Sequence, residues 1–203
     1  MKWIITISAI LLFALAGCGK DKQSTNELIT VDVTKNYPEK ELTLQDFMDV
    51  EYIPLETNDE FVTQGKVMAI GAEVILITNW ANDGNLFVFD RKTGKALKKI
   101  NRKGQGGEEY IGITEIVLDE ANKEIFVIAY TGSKISVYDL DGNFKRSFKA
   151  AGTESHVNTF NYDRENLISY VPDNSLENPS NAIPPYYLIF SKQDGSITRK
   201  ISI

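Results

Sequence analysis

Two patterns of apolar and polar positions alternate along this chain. In Ala96 to Ile100, Phe144 to Phe148 and Ile197 to Ile201, an apolar residue stands at each end and a basic residue midway, at Lys98, Arg146 and Arg199, in a mostly polar stretch. A period of two predicts strands with one wet face. Leu86-Phe87-Val88-Phe89 and Glu124-Ile125-Phe126-Val127-Ile128-Ala129 have almost no polar face, so they predict strands covered on both sides. A half-wet strand follows a doubly covered one three times: Leu86 to Ile100, Ile135 to Phe148 and Tyr187 to Ile201. The equivalent positions Asp90, Asp139 and Ser191 lie 49 and 52 residues apart. A fixed spacing of this size is the mark of a repeat architecture.

The middle repeat divides into four strands, at Ile113 to Asp119, Glu124 to Ala129, Lys134 to Asp139 and Phe144 to Phe148. The connections are short, and Asp141-Gly142 supplies a hairpin turn with positive φ. Four antiparallel strands per 40 to 50 residues, with inner strands covered on both faces, predict propeller blades. The expected fold class is therefore all-β, a partial β-propeller with blades at roughly 62–100, 113–148 and 157–201. A β-sandwich is the alternative, and it requires no four-strand period.

The first residues follow a different rule. Lys2 precedes thirteen nearly apolar residues, Trp3 to Leu15, and then Leu15-Ala16-Gly17-Cys18. Thirteen helical residues rise about 20 Å, short of a hydrocarbon core of roughly 30 Å, so the stretch reads as a secretory signal. LAGC resembles the bacterial lipobox, which implies cleavage before Cys18 and lipidation of that residue, the single cysteine of the chain. The expected organisation is a signal at 1–17, a polar tether at 18–27 and a propeller domain at 28–203. Glycine follows the cysteine, where the best-known sorting rule puts aspartate for inner-membrane retention. Outer-membrane residence is expected, facing either the periplasm or the cell surface.

From about Leu28 onward the chain resembles the six-bladed β-propeller lipoproteins of Gram-negative envelopes, which are similar in architecture to NHL and TolB-type propellers. The resemblance is carried by Ile29-Thr30-Val31-Asp32-Val33, by Val50-Glu51-Tyr52-Ile53-Pro54-Leu55-Glu56-Thr57, by KGQGGEEY at 103–110 and by KISVYDLDGNFKRSF at 134–148. It implies an envelope location and a binding role, with no single activity. In such propellers the strand around Val50 to Thr57 completes the final blade. Three blades fall short of that ring, so a fragment or truncated gene product is expected, with pairing of two copies as the lesser alternative.

At 203 residues, 42% hydrophobic and 25% charged, the chain is long enough for a sizeable core. A net charge of −6 argues against nucleic acid as the partner, since phosphate binding needs a concentrated basic surface.

Candidate chemistry centres on Asn101-Arg102-Lys103-Gly104-Gln105-Gly106-Gly107-Glu108-Glu109-Tyr110. Its glycines are not a phosphate loop: Gly107 is followed by two acids where Lys-Ser/Thr is needed, and a strand follows where a helix is needed. Repeat alignment places it at a blade-to-blade junction, matching 148–152. Such a junction shares a face with the loops at 79–84, 130–133, 150–156 and 171–185. Trp80, an aromatic in a polar loop, is a candidate stacking platform for a sugar or peptide. Arg102, Lys103, Glu108, Glu109 and Tyr110 complete the candidate ligand-binding set. The single histidine, His156, forms no metal set or triad, and Asp139 to Asn143 has the wrong spacing for a calcium loop.

No catalytic residue, metal or cofactor is expected. The expected partners are the membrane, through lipidated Cys18, and an envelope protein, peptide or glycan. The rival reading is a truncated propeller hydrolase or lyase acting on carbohydrate. A remnant without function is the third.

Overall fold

A computed structural model describes residues 31–129, 134–149, 157–172 and 184–203. The signal at 1–17 and the whole tether at 18–27, Cys18 included, lie outside the described residues. So do the loops at 130–133 and 150–156 and most of 171–185. The chain divides into two compact units, residues 1–50 and 51–203. In the described part of the first, Leu44–Asp46 forms one 3-10 turn, and the Asp46 carboxylate accepts the Thr43 N–H at 2.8 Å. Val31 to Val33 forms no strand.

The second unit holds twelve described strands in three four-stranded antiparallel sheets. The first sheet is β1 (Lys66–Ile70), β2 (Val74–Thr78), β3 (Asn85–Asp90) and β4 (Ala96–Asn101). The second is β5 (Glu115–Asp119), β6 (Glu124–Ile128), β7 (Lys134–Asp139) and β8 (Phe144–Lys149). The third is β9 (Val157–Asn161), β10 (Asn166–Val171), β11 (Tyr186–Ser191) and β12 (Ile197–Ser202). Strands pair in chain order within each sheet, so each sheet is an up-and-down blade. The β-sandwich alternative is excluded by this topology. β5 lies beside both β1 and β9, which puts the first strand of each blade at the axis.

The strands without a polar face are buried as their composition requires. Every residue of β2 and of β6 is buried, as are Leu86 to Phe89 and Ile135 to Tyr138. Because side chains alternate across a strand, one row of each blade faces forward and the other backward. Leu76, Val88 and Ile100 of the first blade interlock with Ile116, Ile125, Val127 and Tyr138 of the second. Val117, Phe126, Val137 and Phe148, on the other side of the second blade, meet Leu167 and Phe190 of the third. The remaining face of the first blade, Ile75, Ile77, Phe87 and Phe89, is covered by Phe61 with Ile53 and Leu55. Each such large side chain contributes about 1.5–3 kcal/mol by leaving water.

Glycine turns lock neighbouring blades at their outer edges. Gly94, Gly142 and Gly195 each follow the third strand of a blade with φ of 69°, 83° and 74°. A Cβ on Gly142 would lie 2.9 Å from Ile100, and one on Gly195 would collide with the Lys149 carbonyl, each time the end of the preceding fourth strand. On Gly94 it would collide with the Pro54 carbonyl. The Glu56 N–H also donates to the Gly94 carbonyl at 2.8 Å, and the Glu56 carboxylate accepts the Ala96 N–H at 3.0 Å. Residues 53–56 therefore stand where the fourth strand of a preceding blade would stand, although they form no ladder of their own.

Carboxylates staple the axial ends. Glu120 accepts the N–H groups of Ala72, Glu73 and Val74 at 2.6, 2.8 and 3.2 Å, and Glu115 accepts those of Asn158 and Thr159 at 2.8 and 2.9 Å. Lys192 is fully buried between the second and third blades, where its ammonium meets the buried Asp119 carboxylate and the Asp163 carbonyl. Losing one member would leave the other charged and buried, a cost of about 3–5 kcal/mol.

Two outcomes follow. Gly142→Ala adds left-handed backbone strain of about 1–2 kcal/mol and a contact with Ile100, so its thermal midpoint falls by roughly 4 °C or more in a calorimetric scan. For Glu120, burial pushes the carboxyl up, but its three backbone donors outweigh that and hold it below its ordinary value. Its contribution is then fully present above the unfolded value of 4.5 and disappears as pH falls through the lower folded value. Glu120→Gln lowers the midpoint at pH 7 by roughly 2–4 °C, for about 1 kcal/mol of charge-assisted bonding. The gap between variant and parent closes as the scans are repeated at progressively lower pH below 4.5.

Candidate functional site

The loop β2–β3 and the junction after β4 meet on one face of the first two blades, as the strand directions require. Asn101 donates to Asn85 at 2.8 Å, the Lys103 ammonium to the Asn82 carbonyl at 2.9 Å, and the Ile113 N–H to the Asn82 side chain at 2.9 Å. Asn82 itself adopts φ of 48°, a conformation that asparagine tolerates better than most residues. Asp83 accepts from Asn79 and Asn85, and those amide and N–H bonds outweigh burial to hold its carboxyl below the usual range. The face is thus a rigid, hydrogen-bonded platform.

Tyr110 is the pin of this platform. It is buried among the residues between the first and second blades, edge-on to Tyr138 at 5.9 Å between ring centres. Its hydroxyl donates to the Gly84 carbonyl at 2.8 Å and accepts the Arg102 N–H at 3.1 Å. Burial pushes its hydroxyl pKa up, and that of Tyr138 up to about 12, so both remain donors at neutral pH. Tyr138 donates to the Glu108 carbonyl at 2.7 Å.

The glycine-rich junction is folded on itself. Lys134 fills its hollow: the ammonium donates to the carbonyls of Gly107, Glu109 and Gly106 at 2.8, 2.9 and 3.3 Å. Glu109 turns inward and accepts the Gly106 N–H at 2.8 Å. The space beside it, about 120 Å³, is too small for a nucleotide. An ammonium thus sits where a phosphate loop would place its anion, which agrees with the reading of the sequence as a junction.

The predicted site residues separate accordingly. Arg102 reaches across to the Gly142 carbonyl at 3.2 Å, Lys103 is tied to the Asn82 carbonyl, Glu109 braces the junction and Tyr110 is buried. Trp80 and Glu108 remain exposed. Trp80 is 71% accessible, with the Lys66 ammonium 5.2 Å from its ring centre, while Gln64 accepts the neighbouring Ala81 N–H at 3.1 Å. Ile111, half exposed, follows Tyr110 on the junction. Lys66, Gln64 and Ile111 were not singled out from sequence, since a lysine opening a strand and a lone exposed isoleucine carry no local signature. The axial cleft, about 650 Å³, is lined by β1, β5 and β9 and includes the exposed Val67, Ile70 and Phe160. Among the described residues no group of three or more His, Cys, Asp or Glu is placed to hold a metal ion.

Three radial four-stranded blades sharing inner strands at an axis define the β-propeller class. A family described as a 6-bladed β-propeller matches residues 19–202, and the chain belongs to it. Among solved structures, a protein of Bacteroides fragilis NCTC 9343 provisionally described as exported shares 21% identity at a TM-score of 0.59. The match covers 81% of this chain and 45% of that one, so the chain spans under half of that protein's length. The computationally designed Ika4 protein is more distant, at 16% identity and TM-score 0.42, with 75% and 79% of the two chains covered. The WD40 repeats of RRP9 share 10% identity at 0.46, over 69% and 39%. No curated protein sequence matches the chain.

Removing the Tyr110 hydroxyl strands the Gly84 carbonyl and the Arg102 N–H. Tyr110→Phe should cost about 1–3 kcal/mol, read as an earlier urea midpoint with an unchanged slope.

Proposed function

We propose that this protein is a lipid-anchored envelope propeller whose blades hold a non-catalytic binding face for a glycan, peptide or protein. Trp80 carries the reading. A large aromatic ring stands in water on a loop that Asn79, Asp83 and Gln64 fix from beneath. An indole held this way loses little freedom on binding, and its face stacks on sugar rings or peptide side chains. Lys66 beside it adds a cation, and Glu108 and Ile111 extend the face along the junction. Long or exposed loops on a rigid scaffold are where recognition concentrates.

The envelope location is supported by the secretory pattern before Cys18 and by the B. fragilis protein's description as exported. Two acyl chains on Cys18 would hold the propeller at a membrane stably, where one would not. The tether at 18–27 is polar and aperiodic, as a flexible connection needs to be.

Two measurements test the parts separately. Metabolic labelling with a fatty acid should mark the parent and leave Cys18→Ser unlabelled and in the soluble fraction, and an unlabelled parent refutes the anchor. A chain starting at Cys18 carries Trp80 as its single tryptophan, so its fluorescence reports binding directly. Titration with muropeptides, lipopolysaccharide core oligosaccharides and unstructured peptides should give saturable quenching by one of these probes. Lys66→Ala should weaken that binding roughly 5-fold, for a loss of about 1 kcal/mol. Emission that no probe changes would refute the binding face.

A further inference from the structure

Among the described residues, one cation–ring contact differs from the others. Lys99 lies 5.8 Å from the ring centre of Phe87, the Arg146 guanidinium 5.8 Å from that of Phe126 and the Lys200 ammonium 3.7 Å from that of Tyr186, and all three rings are buried. Those cations cap the core. Lys66 lies 5.2 Å from the centre of Trp80, a ring 71% accessible, and its ammonium has no hydrogen bond or ion pair among the described residues. The junctions on either side of the Trp80 loop, 58–65 and 102–112, are both bonded to it: Gln64 accepts the Ala81 N–H, and Asn82 accepts the Ile113 N–H. The ring thus stands in water with both flanking segments already in place.

The polar groups around the ring are one-sided. Asn79 Oδ1 accepts the Thr63 hydroxyl at 3.2 Å and the Gln64 N–H at 2.8 Å. Gln64 Oε1 accepts the Ala81 N–H at 3.1 Å, the Asn79 carbonyl accepts the Asn82 N–H at 3.3 Å, and the Asp83 carboxylate is engaged by Asn79 and Asn85. The acceptors are spent on the loop itself. What remains is donor capacity, because the Lys66 ammonium and the Gln64 amide nitrogen donate to nothing among the described residues.

We infer that this face selects a glycan whose sugar ring carries a carboxylate. The inference rests on Trp80 being the binding platform, and it names what the platform takes. A pyranose lays its C–H face on the indole, while its carboxylate, which accepts hydrogen bonds and has no proton to place, meets Lys66 and Gln64. Sugar hydroxyls accept from the same donors and turn their own protons to water. A peptide fits less well, because its N–H groups are fixed donors and a face with engaged acceptors leaves them unsatisfied. Lys66 repels a cationic ligand, and the exposed Glu108 on the following junction directs the ligand's acid towards Lys66. The net charge of −6 opposes a dense polyanion, so single acidic sugars are favoured over a run of them.

Titration of the chain starting at Cys18, followed by Trp80 emission, tests this with four probes: cellobiouronic acid, its uronamide, cellobiose and a glycine–aspartate tetrapeptide. The acid should bind with a Kd at least about 5-fold below that of the uronamide, which differs from it only in charge. Cellobiose should match the uronamide, and the peptide should bind more weakly than the acid. The preference should shrink in about 1 M salt, where the screening length is about 3 Å. Lys66→Gln should erase the preference without moving the thermal midpoint, Lys66→Arg should keep it, and Glu108→Gln should not weaken binding of the acid. Equal affinity for acid and uronamide, a preference that Lys66→Gln leaves intact, or tighter binding of the peptide overturns the inference. Equal quenching by acid and uronamide leaves the Trp80 face standing without this selectivity, whereas emission unmoved by these probes and by those above removes the face as well.

Discussion

Sheets with two oily faces cannot exist alone in water, and everything else in this structure follows from that constraint. β2 and β6 have no side that tolerates solvent, so each blade is half of a packing problem whose other half is its neighbour. The radial array solves it by letting one blade's forward row fill the next blade's backward row. The hydrophobic effect sets the magnitude but has no direction of its own. Polar contacts supply the direction: Glu115 and Glu120 at the axial end, the Lys192–Asp119 pair between the second and third blades, and the turn glycines at the rim. These groups fix how far each blade advances around the axis.

The same rigidity prepares the loop face. Tyr110 belongs both to the apolar interface and to the loop network, so the platform under Trp80 is held by the core itself. Lys134 does the equivalent for the glycine-rich junction by filling its centre with a cation. Binding on such a face needs little reorganisation, which is the advantage of a propeller as a recognition scaffold.

Much of the fold was legible because the repeat states it three times. Lys98, Arg146 and Arg199 occupy equivalent positions, and the strand ends at Asp119, Asp139 and Phe148 fall within a residue of those read from alternation alone. The candidate site was less legible. Tyr110 reads as a loop aromatic because the sequence gives no sign that its ring enters the space between blades, and Arg102 reads as a free charge because its acceptor, Gly142, is 40 residues away. The Lys192–Asp119 pair, separated by 73 residues, could not be anticipated either. Alternation reveals which face of a strand is dry, whereas the partner of a polar group depends on geometry that only the assembled blades create.

Hydrogen exchange on the isolated chain addresses mutual burial directly, because amides in interlocked sheets open together. If each blade exists only through its neighbour, the amides of Leu76, Val88, Phe126 and Val137 exchange with one shared opening free energy, while those of Thr198 to Lys200 on the uncovered rim exchange faster. Separate opening energies for the first and second blades, or core amides as fast as those of β12, would contradict the account.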